Sequence, residues 1–426
     1  MKNKEPYMYK VKSSEVNHIP TAIIETDKFK TVTVQLQFRS RMERERVTKR
    51  NILSKMMIKR TAAFQKEADL LKHLAHYYGA HLTSNVGRKG QDHIVSFSME
   101  FVNDRFIREE LDVIGEMCRL LHDVLETPAH YDDSYQDFFN KEKRLYRNRL
   151  KSMKDNRAQA SFQAMLDVMF RDEDYKYLPH GVLEDVEGTT LEEIKEEHAR
   201  MMKDDDVAIL VVGAVDESIT EDLKKITARS AKVETPHKAY PFRASEDVTR
   251  SSDTQQIEQA KLNMGFRADV SDLQEQMAFN VMNQMYGASA SSLLFMNIRE
   301  KLSLAYQIHS QVDVRNGYMF VMGGVDPGNV ETAEQAILAE LEVLRKGEFD
   351  TAFVEEVKRM MKVNRQEVMD KPKGLLTLEY NRMLQEAHPL SWEERLEAVD
   401  REMIMEISRK TALDTVYVLT RSGEDE

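Results

Sequence analysis

The chain is 426 residues long, carries a formal net charge of -12 and contains one cysteine. Its length exceeds one ordinary core and predicts two to four domains, and its acidity excludes a general nucleic-acid binder, which needs a basic footprint. No apolar run of about 18 residues occurs, so no transmembrane helix or membrane partner is expected.

The first residues, MKNKEPYMYKVKSSEV, lack the apolar centre of a secretory signal. TAIIETDKFKTVTVQLQFR (21–39) alternates apolar and polar residues and predicts two strands joined at the polar Asp27–Lys28 turn. A helix follows to about residue 60. EADLLKHLAHYYG (67–79) predicts a second amphipathic helix, with Leu70, Leu71, Leu74 and Tyr78 marking its buried side and Gly79 as a left-handed C-cap. AHLTSNV, the basic turn RKGQD and HIVSFSMEF predict a hairpin. Helices are expected over most of 105–170, and the basic run KRLYRNRLKSMK (143–154) reads as one solvated helix face. Thr190 and Glu193 form a capping box that opens another helix. DDVAILVVGAV reads as a buried strand and ESITEDLKKITARS as a helix.

Residues 229–255 hold Pro236 and Pro241 and little periodicity, which predicts a linker. Beyond it the same order of elements returns. QAKLNMGFR (259–267) matches TVQLQFR (33–39), each a strand ending in Phe-Arg and followed by a polar turn and an amphipathic helix. SLAYQIHSQVDVRNGYMFVMGGV (303–325) is a hairpin in the place that 80–101 holds in the first half. The sequence therefore predicts an α+β protein with two homologous halves, 1–228 and 256–426, each a mainly antiparallel sheet packed with helices.

Few side chains stand out chemically. Cys118 cannot form an internal disulfide, which fits a reducing compartment and makes the cytosol the simplest expectation. It lies among apolar helix neighbours and reads as a buried structural thiol; His122, one turn on, lacks an orienting third group. His73 and His76, with His81 and His93 beyond, raise the question of a metal, but on the helical wheel the first two read as solvent-facing. GASAS and VDPGN lack the Gly/Lys pattern of a phosphate loop. The twenty-five methionines read mainly as core filling.

The segment SASSLLFMNIREKLSLAYQIHSQV (289–312) carries the densest motif. A helix from about Ser291 ends in Arg-Glu-Lys, and Tyr306 opens a strand after a short turn. Arg299 and Tyr306 can then reach one mouth, offering a planar fork of donors and a phenolic hydroxyl to a peptide carbonyl. Spacing alone favours the plainer reading of a C-terminal helix cation and a half-buried strand aromatic.

This segment resembles the C-terminal signature of the pitrilysin-type metallopeptidases, the inverted-zincin family that includes the mitochondrial processing peptidase. LKHLAHYYGAHLTSNV, VAILVVGAVDESI, EQAKLNMGFR and GGVDPGNVETAEQAILAELEVL resemble other family segments in the family's order. The resemblance implies two half-shells around a chamber and a peptide-binding role for Arg299 and Tyr306.

The family's first long helix bears His-x-x-Glu-His, two imidazoles gripping zinc and a carboxylate activating its water. It usually continues as HFLEHMLFKGT. Here the matching stretch is NILSKMMIKRT (51–61), with Met56, Lys59 and Thr61 holding the register. The ligand positions fall on Asn51 and Lys55, and the base position on Ser54. In the later helix EKRLYRNRL, Glu142 matches a family acid and Arg149 the third-ligand position. Asn is a poor zinc ligand, Ser has no base strength at neutral pH, and Lys and Arg are cations. The resemblance thus implies a non-catalytic member with no zinc and no cofactor. Its expected partners are a zinc-bearing homologue in a heterodimer, or a second copy in a homodimer, and a peptide substrate. The alternative is a standalone peptide-binding or scaffold protein.

Overall fold

The structure is a computed structural model that describes residues 9–125, 133–227, 239–385 and 388–421. Two sheets organise it. The first contains β1 (Lys10–Val16), β2 (Ile19–Glu25), β3 (Thr31–Arg41), β4 (His81–Lys89), β5 (Asp92–Val102) and β6 (Asp206–Gly213), in the order β1-β2-β6-β3-β5-β4. The second contains β7 (Thr249–Gln255), β8 (Ala260–Ala268), β9 (Ala305–Asp313), β10 (Tyr318–Val325) and β11 (Thr411–Arg421), in the order β7-β11-β8-β10-β9. Leaving out β1, the two orders correspond strand for strand. In each, the one parallel pair joins the first strand to the last, β2 to β6 and β7 to β11. The remaining pairs are antiparallel, so the α+β class read from the sequence is the observed one.

Burial explains the strand order. β3 is buried along nearly its whole length and β6 is an almost unbroken apolar run, as central strands covered on both faces must be. The Phe-Arg markers of the duplication lie near the ends of the two corresponding strands β3 and β8. Phe38 and Phe266 are buried in their cores. Arg39 pairs with Asp92 at 2.8 Å and with Asp206, the first residue of neighbouring β6. Arg267 pairs with Glu173 at 2.7 Å and with Asp414 of neighbouring β11 at 2.8 Å. Each repeat thus places, near the end of its central strand, a buried guanidinium neutralised by two carboxylates.

Several expectations are corrected. Residues 249–255, assigned to the linker, form the edge strand β7; TRSSDTQ is exposed at most positions, so it lacks the apolar alternation that reveals a half-buried strand. β2 and β3 follow each other in the chain but are not paired, because β6 lies between them. Leu71 and Tyr78 are 58% and 52% exposed; only Leu70 and Leu74 are buried in the helix Glu67–His76. The helix after β6 is short, Ile219–Leu223, and residues 228–238 lie outside the described residues. Gly79 does adopt a left-handed conformation (φ 74°), and the Thr190–Glu193 capping box forms.

The chain divides into two compact units that do not follow sequence order. One comprises residues 1–151, 177–238 and 366–386; the other 152–176, 239–365 and 387–426. In the first, the helix Pro372–Met383 packs Leu375, Leu376 and Tyr380 onto Ile24, Leu210 and Val212 of the first sheet. In the second, the helix Arg157–Met169 lies on β8 and β11, with Asn263 donating to Ser161 at 2.6 Å. Each sheet is covered by a helix encoded in the other repeat.

Candidate functional site

The helix Arg44–Met57 carries the stretch equated with the zinc motif, and ten of its residues are buried. Val47, Ile52, Leu53, Met56 and Met57 pack into the core, which fixes the register of the polar residues between them. Its first turns are pinned by ion pairs. Arg46 Nη2 lies 2.7 Å from Glu197, and Arg50 Nη2 lies 2.6 Å from Asp205, with all four side chains buried. Such charges are held only because each is paired and hydrogen-bonded.

His93 completes this network. Arg50 Nε donates to His93 Nδ1 at 3.0 Å, and His93 Nε2 donates to the Pro179 carbonyl at 2.7 Å. That arrangement requires a neutral imidazole, and full burial beside Arg50 pushes its pKa down to about 3.

The Pro179–His180 segment lies against the motif positions. Asn51 Nδ2 donates to Pro179 O at 2.8 Å and to Val47 O at 2.9 Å, and Tyr146 Oη donates to His180 O at 2.6 Å. Gly181 permits the approach: its φ is 71°, and a Cβ there would stand 2.2 Å from Thr48 Oγ1. Ser54 Oγ donates back to Asn51 O at 2.9 Å, within its own helix. Lys55 Nζ donates to the Ser84 carbonyl and, at 3.0 Å, to Ser84 Oγ on strand β4. Burial, then the nearby Arg149 and Lys59 charges, holds the Lys55 ammonium below its usual pKa. One helical turn on, Lys59 pairs with buried Glu142 at 2.8 Å.

These residues do not fit a zinc ion. Asn51 spends its amide hydrogens on carbonyls, the position between is a hydroxyl satisfied inside the helix, and two cations stand where anionic or neutral ligands would be needed. Among the described residues, no group of three or more His, Cys, Asp or Glu is placed to hold a metal. His73 is not simply solvent-facing as the wheel implied: Nε2 lies 2.9 Å from Glu116, and its ring packs on Phe64 and Tyr77. His76 is exposed. Cys118 is buried, its thiol pushed up to about 12 by desolvation, and His122 turns its Nδ1 to the Ile226 carbonyl.

Lys55 also borders a cleft of about 520 Å³. Its floor is the polar face of β3, β5 and β4, including Gln35, Ser98 and Thr83, and its wall is the first turn of the helix Pro372–Met383 with Lys371 and Lys373. Neither of those lysines was singled out in the sequence. They lie more than 300 residues from Lys55, and no local pattern links them.

In the second unit, Arg299 lies in Leu294–Lys301, which is π-helical throughout, a rare geometry that is frequent at functional sites. Its guanidinium stands 4.7 Å from the Phe295 ring centroid and 3.6 Å from Glu300. Tyr306 is the second residue of β9 and is 61% exposed, which removes the reading of a half-buried aromatic. The π-helical segment packs against β9, and Met296 and Leu302 are exposed on it. Both side chains are available to a ligand.

The duplicated α+β fold is similar to that of M16-like peptidases of known structure. Residues 189–361 match the family described as the peptidase M16 inactive domain. The chain is 27% identical over 406 residues to the "Probable inactive metalloprotease YmfF" of Bacillus subtilis (strain 168), covering 93% of this chain and 94% of that one. It is 26% identical over 195 residues, 43% of each chain, to the "Zinc protease PqqE" of Helicobacter pylori (strain ATCC 700392 / 26695). A crystal structure of a conserved protein from Enterococcus faecalis V583 matches it with a TM-score of 0.89 and 27% identity, over 98% of this chain and 100% of that chain. The chain is thus similar to proteins of the pitrilysin-type (M16) family, among them one described as inactive.

Proposed function

We propose that this chain is the non-catalytic subunit of a two-chain peptidase. It binds an extended peptide through Arg299 and Tyr306 and completes the site of a zinc-bearing homologue, which performs the hydrolysis. The observation that carries this reading is a contrast within one chain. The positions equated with the zinc motif are tied up internally by Pro179 and Ser84, whereas Arg299 and Tyr306 are exposed on adjoining elements. In its partner's site the Arg299 guanidinium donates to peptide carbonyls, and the Tyr306 hydroxyl supports the oxygen on which negative charge develops.

The test is reconstitution. The chain is mixed with its zinc-bearing homologue and cleavage of a quenched fluorescent peptide library is followed. Activity should require both chains, and Arg299→Ala should reduce kcat/KM by about 10²-fold or more, the cost of losing one such donor. Full activity of the homologue alone, or failure of the chains to associate, points instead to a standalone peptide-binding scaffold.

A further inference from the structure

The cleft beside Lys55 has a charge pattern that the peptidase reading does not use. Three ammonium groups border it: Lys55, Lys371 and Lys373. Among the described residues, Lys55 donates only to Ser84, and neither Lys371 nor Lys373 has a carboxylate partner. Arg149, close enough to repel Lys55, is likewise without an ion pair there. Lys55 is half-buried, and Lys371, Lys373 and Arg149 are exposed; the buried cations Arg39, Arg46, Arg50 and Arg267, by contrast, are each matched by acids. The single acid in the cleft, Glu100, accepts from Thr31 Oγ1 at 3.2 Å.

The wall adds to this field. The helix Pro372–Met383 presents its first turn to the cleft, and no side chain caps that end. Its backbone amides and dipole favour an anion. The strands contribute one carboxylate, Glu100, to the floor. Five consecutive residues of β4, His81–Asn85, line it, a run of about 17 Å in extended chain.

We infer that this cleft binds an acidic peptide segment, its carboxylates received by Lys55, Lys371 and Lys373 and its backbone by the polar side chains of β3, β4 and β5. Replacement of a metal ligand by lysine has then converted the position from one that holds a cation to one that attracts carboxylates. The inference does not depend on a zinc-bearing partner, because every residue it uses belongs to one compact unit of this chain.

The test uses the full chain alone. Fluorescence anisotropy compares a labelled peptide rich in Asp and Glu with its Asn/Gln counterpart. The acidic peptide should bind about tenfold tighter or more, which is ~1.4 kcal/mol. That preference should vanish at about 1 M salt, where the screening length falls to about 3 Å. Lys55→Gln and the double variant Lys371→Gln/Lys373→Gln should each remove most of it; the second pair is exposed, so its loss leaves the fold intact, checked by thermal melting. Equal binding of both peptides, or unchanged preference in both variants, overturns the inference. So does competition by inorganic phosphate as strong as that by unlabelled acidic peptide, which marks a small-anion site. Binding abolished by Arg299→Ala but untouched by the lysine variants overturns it too, while leaving the proposed subunit role standing.

Discussion

Lys59 Nζ lies 2.8 Å from Glu142 Oε2 and joins the helix Arg44–Met57, just beyond its end, to the helix Asp133–Asp155. Glu142 is 4% exposed and Lys59 about a quarter exposed. The buried carboxylate of Glu142 is thereby neutralised by Lys59. Lys59→Met strands a buried carboxylate. It should destabilise the chain by about 2–3 kcal/mol, the lower side of a broken buried pair because Lys59 is partly solvated. Urea unfolding measures the loss, and adding Glu142→Gln should restore most of it.

His93 sets a pH limit. Its folded pKa, about 3, lies below the ordinary histidine value of 6.5. The unfolded chain therefore binds a proton that the folded chain refuses. The contribution is complete above pH 6.5 and is lost as pH falls towards 3, at about 1.4 kcal/mol per pH unit. Between pH 6.5 and 5 the chain should lose roughly 2 kcal/mol through this group. A His93→Gln variant should show a shallower fall over that interval in parallel urea titrations; an identical slope refutes the assignment.

Cys118 should be silent in the native state. A thiol pushed up to about 12 and fully buried has little thiolate at pH 8. Labelling by a disulfide reagent should proceed only at the rate of unfolding and become immediate in denaturant. Fast native labelling contradicts the packing described.

The register of the zinc positions is open to direct test. Restoring Asn51→His, Ser54→Glu, Lys55→His and Arg149→Glu together should yield stoichiometric zinc by elemental analysis, whereas restoring any one should not. Zinc in the unaltered chain, or none in the fourfold variant while it remains folded, refutes that register.

The sequence revealed what local periodicity encodes. The hairpins β4–β5 and β9–β10 and the buried strand β6 alternate or run apolar in ways that their burial dictates. The Phe-Arg repeat was visible as a pattern, but its cause, carboxylates at Asp206 and Asp414 on neighbouring strands, depends on sheet order. β7 was hidden because an exposed edge strand carries no apolar signature. π-Helical geometry at Arg299 leaves no distinct trace, since its hydrogen-bond shift is a backbone property. The lysine-rich cleft was illegible for a different reason: it is assembled from segments far apart in the chain.

The helix that covers Ile24, Leu210 and Val212 is encoded at Pro372–Met383, long after β6 ends at Gly213. A ribosome adding about 5–20 residues per second takes roughly 8–32 s to span that interval. During it, the nascent first sheet has all its strands yet lacks this apolar lid. Its completion must wait for the second repeat to emerge, which leaves an adhesive apolar surface to be shielded meanwhile.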